Sequence, residues 1–145
     1  MEKIKTGLAA FGMSGQIFHA PFISTNPAFC LTAITERNKN LSKERYPSAR
    51  IVRSFEELVA LDELELVVIN TPDSTHYEYT RKALEAGKNV VTANKDLIAA
   101  DGHILLDTAA KNKKDFLHEA AVAGGIPIIR PIKQCLAGNH ISEVM

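Results

Sequence analysis

A regular exchange between short apolar runs and longer stretches of helical spacing restricts this chain more than any other feature. Six runs read as strands: Ile4–Phe11, Phe29–Thr35, Ala49–Val52, Leu66–Asn70, Asn89–Thr92 and Asp115–Ala121. They are nearly continuous in apolar residues, the pattern of strands covered on both faces of a parallel sheet. Helices between them carry boundary signals. Ser54-Phe55-Glu56-Glu57 and Thr75-His76-Tyr77-Glu78 have capping-box form, in which hydroxyl and carboxylate serve the free backbone amides of a helix start. Gly87 is placed to end the second of these helices, and Asp101 to begin a third with Ile104, Leu105, Thr108 and Ala109 on one face. Strand–helix–strand units with short connections need right-handed crossovers. The expected fold is therefore α/β, a doubly wound parallel sheet of about six strands with helices on both faces.

A chain of 145 residues fits one domain, 1–145, with a substantial core. Seventeen basic and seventeen acidic side chains cancel, which removes the field that non-specific binding to nucleic acid or anionic membrane needs. No apolar run is long enough to span a bilayer. Met1-Glu2-Lys3-Ile4-Lys5 leads straight into a strand without a signal peptide's apolar region, so a cytoplasmic location is expected. Cys30 and Cys135 are too few for a disulfide framework and read as thiols in a reducing compartment. The five histidines show no metal-ligand spacing.

The loop Ala10-Phe11-Gly12-Met13-Ser14-Gly15 follows the first strand and opens a helix. A pyrophosphate needs bare backbone beside it and amides aimed at it from a helix amino terminus. Gly12 and Gly15 stand at the second and third glycine positions of G-x-G-x-x-G, while Ala10 replaces the first, which serves the tight turn. About twenty residues on, Glu36 ends the second strand and is followed by Arg37. Glu36 as an acceptor for adenosine ribose hydroxyls favours NAD, and Arg37 as a partner of a 2′-phosphate favours NADP. The expected ligand is a nicotinamide dinucleotide, NAD or NADP, in a Rossmann-type domain.

Residues 3 to 91 resemble the Gfo/Idh/MocA oxidoreductase family. The resemblance is carried by Phe11-Gly12-Met13-Ser14-Gly15, Phe18-His19-Ala20-Pro21-Phe22, Ser54-Phe55-Glu56-Glu57-Leu58 and Val68-Ile69-Asn70-Thr71-Pro72. Its most specific part runs from Thr75-His76-Tyr77-Glu78 through Ala83-Leu84-Glu85-Ala86-Gly87-Lys88-Asn89-Val90-Val91. The resemblance implies that Asn70, Thr71, Pro72 and His76 lie on the nicotinamide side of the cofactor. The family's pattern has Glu-Lys-Pro directly after the fifth strand, with a catalytic lysine. This chain departs from it with Thr92-Ala93-Asn94-Lys95.

From about residue 89 to 145 the chain resembles homoserine dehydrogenase. Val90-Val91-Thr92-Ala93-Asn94-Lys95, Glu119-Ala120-Ala121-Val122-Ala123-Gly124-Gly125-Ile126-Pro127, Ile128-Ile129-Arg130-Pro131 and Leu136-Ala137-Gly138-Asn139 carry this likeness. It implies that Thr92 and Ala93 approach the nicotinamide and that Lys95 acts on the reacting carbon. It also implies a monovalent cation held by Glu119 with backbone carbonyls of Val122 and Gly124. The change of signature near Val91 leaves three readings open: a cofactor domain of oxidoreductase ancestry taken alone, a chimera of two cofactor domains that serves as a structural protein without cofactor binding, and a working dehydrogenase of homoserine dehydrogenase type. The substrate domain of homoserine dehydrogenase has no counterpart in the sequence, so little or no turnover is expected of the chain alone. His140–Met145 reads as a strand without a sheet of its own, which predicts a homodimer through that segment.

Overall fold

The computed structural model describes residues 2–92, 94–122, 126–135, 137 and 138. Ala93, Gly124 and the segment His140–Met145 lie outside the described residues, and with them the expected dimer contact. Six strands form one all-parallel sheet: β1 (Ile4–Leu8), β2 (Phe29–Thr35), β3 (Arg50–Val52), β4 (Leu66–Val68), β5 (Asn89–Val91) and β6 (Phe116–Leu117). Their order is β3-β2-β1-β4-β5-β6, the doubly wound arrangement. Each of the six strands expected for the sheet is present, and β2 has the expected bounds. The others are shorter, and the residues lost from the carboxyl ends of β1 and β4 become loops around the site. The run 115–121 keeps only two strand residues, since β6 pairs with β5 through Val90↔Phe116 and Val91↔Leu117 before Glu119–Ala121 turns into a 3-10 helix.

Among the described residues five α-helices accompany the sheet: α1 (Ala20–Thr25), α2 (Ser42–Arg45), α3 (Phe55–Val59), α4 (Asp73–Glu85) and α5 (Lys95–Lys111). A π-helical turn, Gly15–His19, leads into α1, with the Ala20 N–H bonded back to the Gly15 carbonyl. Pro21 stands at this junction without an N–H to give, and a local change of helical register is how a chain absorbs such a gap. Ser54 caps α3 as expected, its hydroxyl accepting from the Glu57 N–H at 3.1 Å while the Glu57 carboxylate accepts from the Arg53 N–H at 2.9 Å. Two other boundaries differ from the sequence reading. Thr75 lies inside α4, bonded to the Thr71 hydroxyl and the Pro72 carbonyl, because Pro72 starts the helix earlier. Asp101 lies inside α5, which Asn94 caps by accepting the Leu97 N–H at 2.8 Å.

Ala9, Ala33, Val67, Ile69, Val90 and Phe116 lie on one face, where they pack with Phe55, Leu58, Leu84, Leu97 and Leu105 of α3, α4 and α5, and a register shift in the β1–β2 pairing separates Ala33 from Leu31. Leu8, Leu31 and Ile34 face the other way, against Ala20 and Ile23 of α1. That second face is open over the last two strands, where Val91 and Leu117 are exposed. The cores hold the strand ends in register, so the loops that leave them are fixed at their roots.

Gly87 ends α4 at φ 73°, the left-handed conformation expected for it. A methyl group there would meet only Lys114 Cε at 3.6 Å, so Gly87→Ala costs backbone strain alone. The expected loss is about 1–2 kcal/mol in urea unfolding, with a smaller loss for Gly87→Asn. No loss in either variant would contradict the assigned turn.

Candidate functional site

Between β1 and β4 the direction of winding reverses, and the crevice outside the carboxyl ends of such strands is where open α/β sheets bind ligands. Asn70, just past β4, ties the two sides together. Its Oδ1 accepts from the Ala10 N–H at 3.0 Å, and its Nδ2 donates to the Ala10 carbonyl at 2.9 Å. This pair of hydrogen bonds holds the turn that a first glycine would otherwise serve, so Ala10 is accommodated. Gly15 is needed for close approach: a Cβ there would collide with the Ala10 carbonyl oxygen. Gly12 differs, since a Cβ there meets nothing within 4 Å and would project into open space. The loop thus presents bare backbone where a pyrophosphate would lie.

Two clefts flank this loop and share Thr71. The first, about 620 Å³, is lined by Gly12, Glu36, Arg37, Arg53, Pro72 and Tyr79 among others. The second, about 880 Å³, includes Ser14, His19, Asn70, His76, Thr92 and Asn94. Most of the expected cofactor residues therefore meet at one edge of the sheet. Met13 and Gly15 line neither cleft: Met13 is exposed, and Gly15 is buried against the Ala10 carbonyl.

Glu36 is buried, and its carboxylate faces the protein. It accepts from the Leu41 N–H and the Ser42 N–H, both at 2.9 Å, and from the Ser42 hydroxyl. Arg37 is exposed on the rim of the first cleft. His76 donates from Nε2 to the Thr71 carbonyl at 2.6 Å, which places its proton on that nitrogen because a carbonyl only accepts. Its Nδ1 is buried without a hydrogen-bond partner. Burial holds the His19 imidazole below its usual pKa, so it is neutral at neutral pH. Thr92 is buried and accepts the Asn94 N–H at 3.2 Å. Asn94 also donates to Asp73 at 2.7 Å, locking the starts of α4 and α5 together.

Lys95, the expected catalytic residue, opens α5 but lines neither cleft. Asn94 takes the place beside the second cleft, because its side chain must turn inward to cap the helix. Glu119 accepts the Ile129 N–H at 3.1 Å and the Arg130 N–H at 3.1 Å. With both oxygens on backbone amides it caps a later turn. Val122 lies just after the Glu119–Ala121 turn, and no cluster of metal-binding side chains occurs among the described residues. Sequence reasoning missed Arg53, Ser54, Phe55 and Tyr79 as cleft residues, with Tyr79 stacked on Phe55 at 3.9 Å between ring centroids. The available signal was the end of β3, which opens on the same edge as β1 and β4.

The model of the oxidoreductase family with an NAD-binding Rossmann fold, Gfo/Idh/MocA, matches residues 4–119. The chain belongs to this family. It is an NAD(P)-binding Rossmann domain of the oxidoreductase type. It is 31% identical over 113 residues to scyllo-inositol 2-dehydrogenase (NADP(+)) IolW of Bacillus subtilis, covering 78% of the chain and 32% of that protein. Homoserine dehydrogenase of Neisseria gonorrhoeae is 36% identical over 115 residues, 79% of the chain and 26% of the relative. The crystal structure of a Bacteroides fragilis protein described as an oxidoreductase shares 57% identity at a TM-score of 0.72, covering 81% of the chain and 36% of that protein. The chain spans about a third or less of the curated relatives it matches.

The Gfo/Idh/MocA match runs without a break across Val91, and the homoserine dehydrogenase likeness is too long to be confined to residues 89–145. The expectation of a chimera is therefore overturned. Both likenesses belong to one shared cofactor domain.

Two glycines and one amide separate structural from ligand-facing roles. Gly15→Ala is expected to cost about 1–3 kcal/mol from the clash with Ala10, and Gly12→Ala less than about 0.5 kcal/mol. Asn70→Asp removes the donor to the Ala10 carbonyl and should cost about 1–3 kcal/mol. Chemical unfolding of the three variants checks the ranking, and equal losses at both glycines would contradict it.

Proposed function

We propose that the domain holds a nicotinamide dinucleotide in extended form across both clefts, as the cofactor half of a dehydrogenase acting on an alcohol carbon. The observation that carries this reading is the pair of clefts meeting at Thr71, with the bare backbone of Gly12 between them. Adenosine would occupy the first cleft beside Tyr79, and the nicotinamide the second beside Thr92 and Asn94. The bound nicotinamide supplies the hydride acceptor or donor. This chain's residues orient it: Asn70 fixes the phosphate loop, His76 fixes the Thr71 carbonyl, and Asn94 fixes the start of α5.

The relatives named above are dehydrogenases of an inositol and of homoserine, and both names support an alcohol substrate. Hydride transfer also needs that substrate within about 3.5 Å of the ring, and positioning supplies several kcal/mol of the rate gain. Lys95 lies outside both cleft walls, which supports the reading that the chain alone turns over little or nothing.

Titration with NADH or NADPH, followed by cofactor fluorescence, is expected to show saturable binding at micromolar to millimolar concentration. Gly12→Asp should abolish it by adding bulk and negative charge beside the phosphates. Absence of binding at millimolar cofactor would reject the proposal. Neither homoserine nor an inositol should be oxidised by the chain alone, and robust turnover lost in Lys95→Ala would restore the lysine to the chemistry.

A further inference from the structure

The face of the sheet that carries α1 is open over β5 and β6, where Val91 and Leu117 are exposed. Register sets Val68, Val91 and Leu117 side by side on three neighbouring strands, so their side chains form one apolar row about 10 Å across. Leu66, two residues before Val68, lies on the same side of β4. Beside this row stands a ridge. Phe18 and Phe22 are four apart in one helical run and share a side of it, with Ile17 next to them. Phe22 leans on Phe29 of β2, with ring centroids 6.4 Å apart. The row is the floor of the second cleft and the ridge is its wall, and the cleft runs on to Thr92 and Asn94 at the carboxyl ends of the strands.

Size decides what such a surface can hold. Phe18, Phe22, Ile17, Leu117 and Val91 are 65%, 62%, 58%, 56% and 41% exposed. Together they present on the order of 500 Å² of apolar side chain. A standard interface takes about 800 Å² from each partner, and about 65% of a homodimer's contact is apolar. The patch supplies that apolar share by itself. Its chemistry also suits a copy of itself. A twofold contact sets residues near its axis against their own counterparts, so a charge there would repel its like and lose its water. Floor and ridge carry no ionisable side chain. At the margins, burial keeps the His19 imidazole neutral, and Asp73 is bonded to Asn94.

We propose that this face joins two copies of the chain about a twofold axis running between ridge and row. Rotation about that axis lays the Ile17–Phe18 ridge of each copy over the Val68–Val91–Leu117 row of the other, so one operation covers both surfaces. A small apolar ligand would fill the cleft and leave Leu117 in water, because Leu117 lies outside the cleft wall. The contact needs neither a cofactor nor the segment His140–Met145.

Sedimentation equilibrium of the intact chain without cofactor, from about 1 to about 500 µM, is expected to show the mass rising from one chain toward two. Added salt should not weaken the association, since no ion pair holds it. Leu117→Asp and Phe18→Asp should each raise the dissociation constant at least about tenfold, and the milder Leu117→Ser by a smaller factor. Leu106→Asp, exposed on α5 behind the other face, should leave it within about twofold, as should Ile141→Asp/Val144→Asp. Circular dichroism of each variant checks that the fold is kept. A chain that stays monomeric to about 500 µM, its face covered by another segment or by nothing, would overturn the proposal. So would a dimer that Leu117→Asp and Phe18→Asp leave intact, and so would one that Ile141→Asp/Val144→Asp abolishes.

Discussion

One primary amide sets the geometry on which the rest of the site depends. Asn70 offers a donor and an acceptor at the spacing of a peptide group, and both are used on the single backbone unit of Ala10. Neither residue belongs to a strand, so the sheet's own ladder does not fix them. The amide extends the pairing of β1 and β4 by one unit beyond the sheet and satisfies polar groups that a loop would otherwise leave to water. With Ala10 fixed, the approach of Gly15 to its carbonyl fixes the helical turn that follows. The open space above Gly12 follows from these two constraints together.

Acids near this edge of the sheet serve the backbone before they serve any ligand. Glu36 satisfies the start of α2, Glu57 the approach to α3, and Glu119 the turn around Ile129 and Arg130. In each case a carboxylate lies near backbone amides at or just before a helical turn, and leaving either group unpaired is costly. Two of these acids carried ligand expectations from sequence. An acid at a strand end followed by a helix has the same spacing whether its oxygens turn toward a ribose or toward the next helix start. Only the course of the intervening loop separates the cases, and residues 37–41 contain no periodic signal that specifies it.

What sequence revealed was set by burial. β2 could be bounded to the residue because it is paired on both sides and covered by both cores. β1 and β4 looked longer than they are because Ala9, Phe11 and Ile69 remain buried after the ladder ends, and hydrophobicity reports burial rather than hydrogen bonding. The starts of α4 and α5 were misplaced for a related reason. Thr75 and Asp101 have the right chemistry for caps, but Pro72 and Asn94 stand earlier. The apparent seam at Val91 reflected two likenesses read in separate stretches. In the fold, Val90 and Val91 bridge β4 and β6 in continuous register.

Thr71 lines both clefts, so a dinucleotide placed as proposed would pass it with one head on either side. A ligand with two heads gains from such an arrangement through effective concentration. Once the first head is seated, the second searches only the volume its tether allows, at a local level on the order of millimolar. With the cofactor placed as proposed, weak contacts at the nicotinamide end would suffice for occupancy, and that end could leave and return while the adenosine end stayed in place. Release of the whole molecule would then require both ends to be free at once, so residence time and ring mobility would become separate quantities.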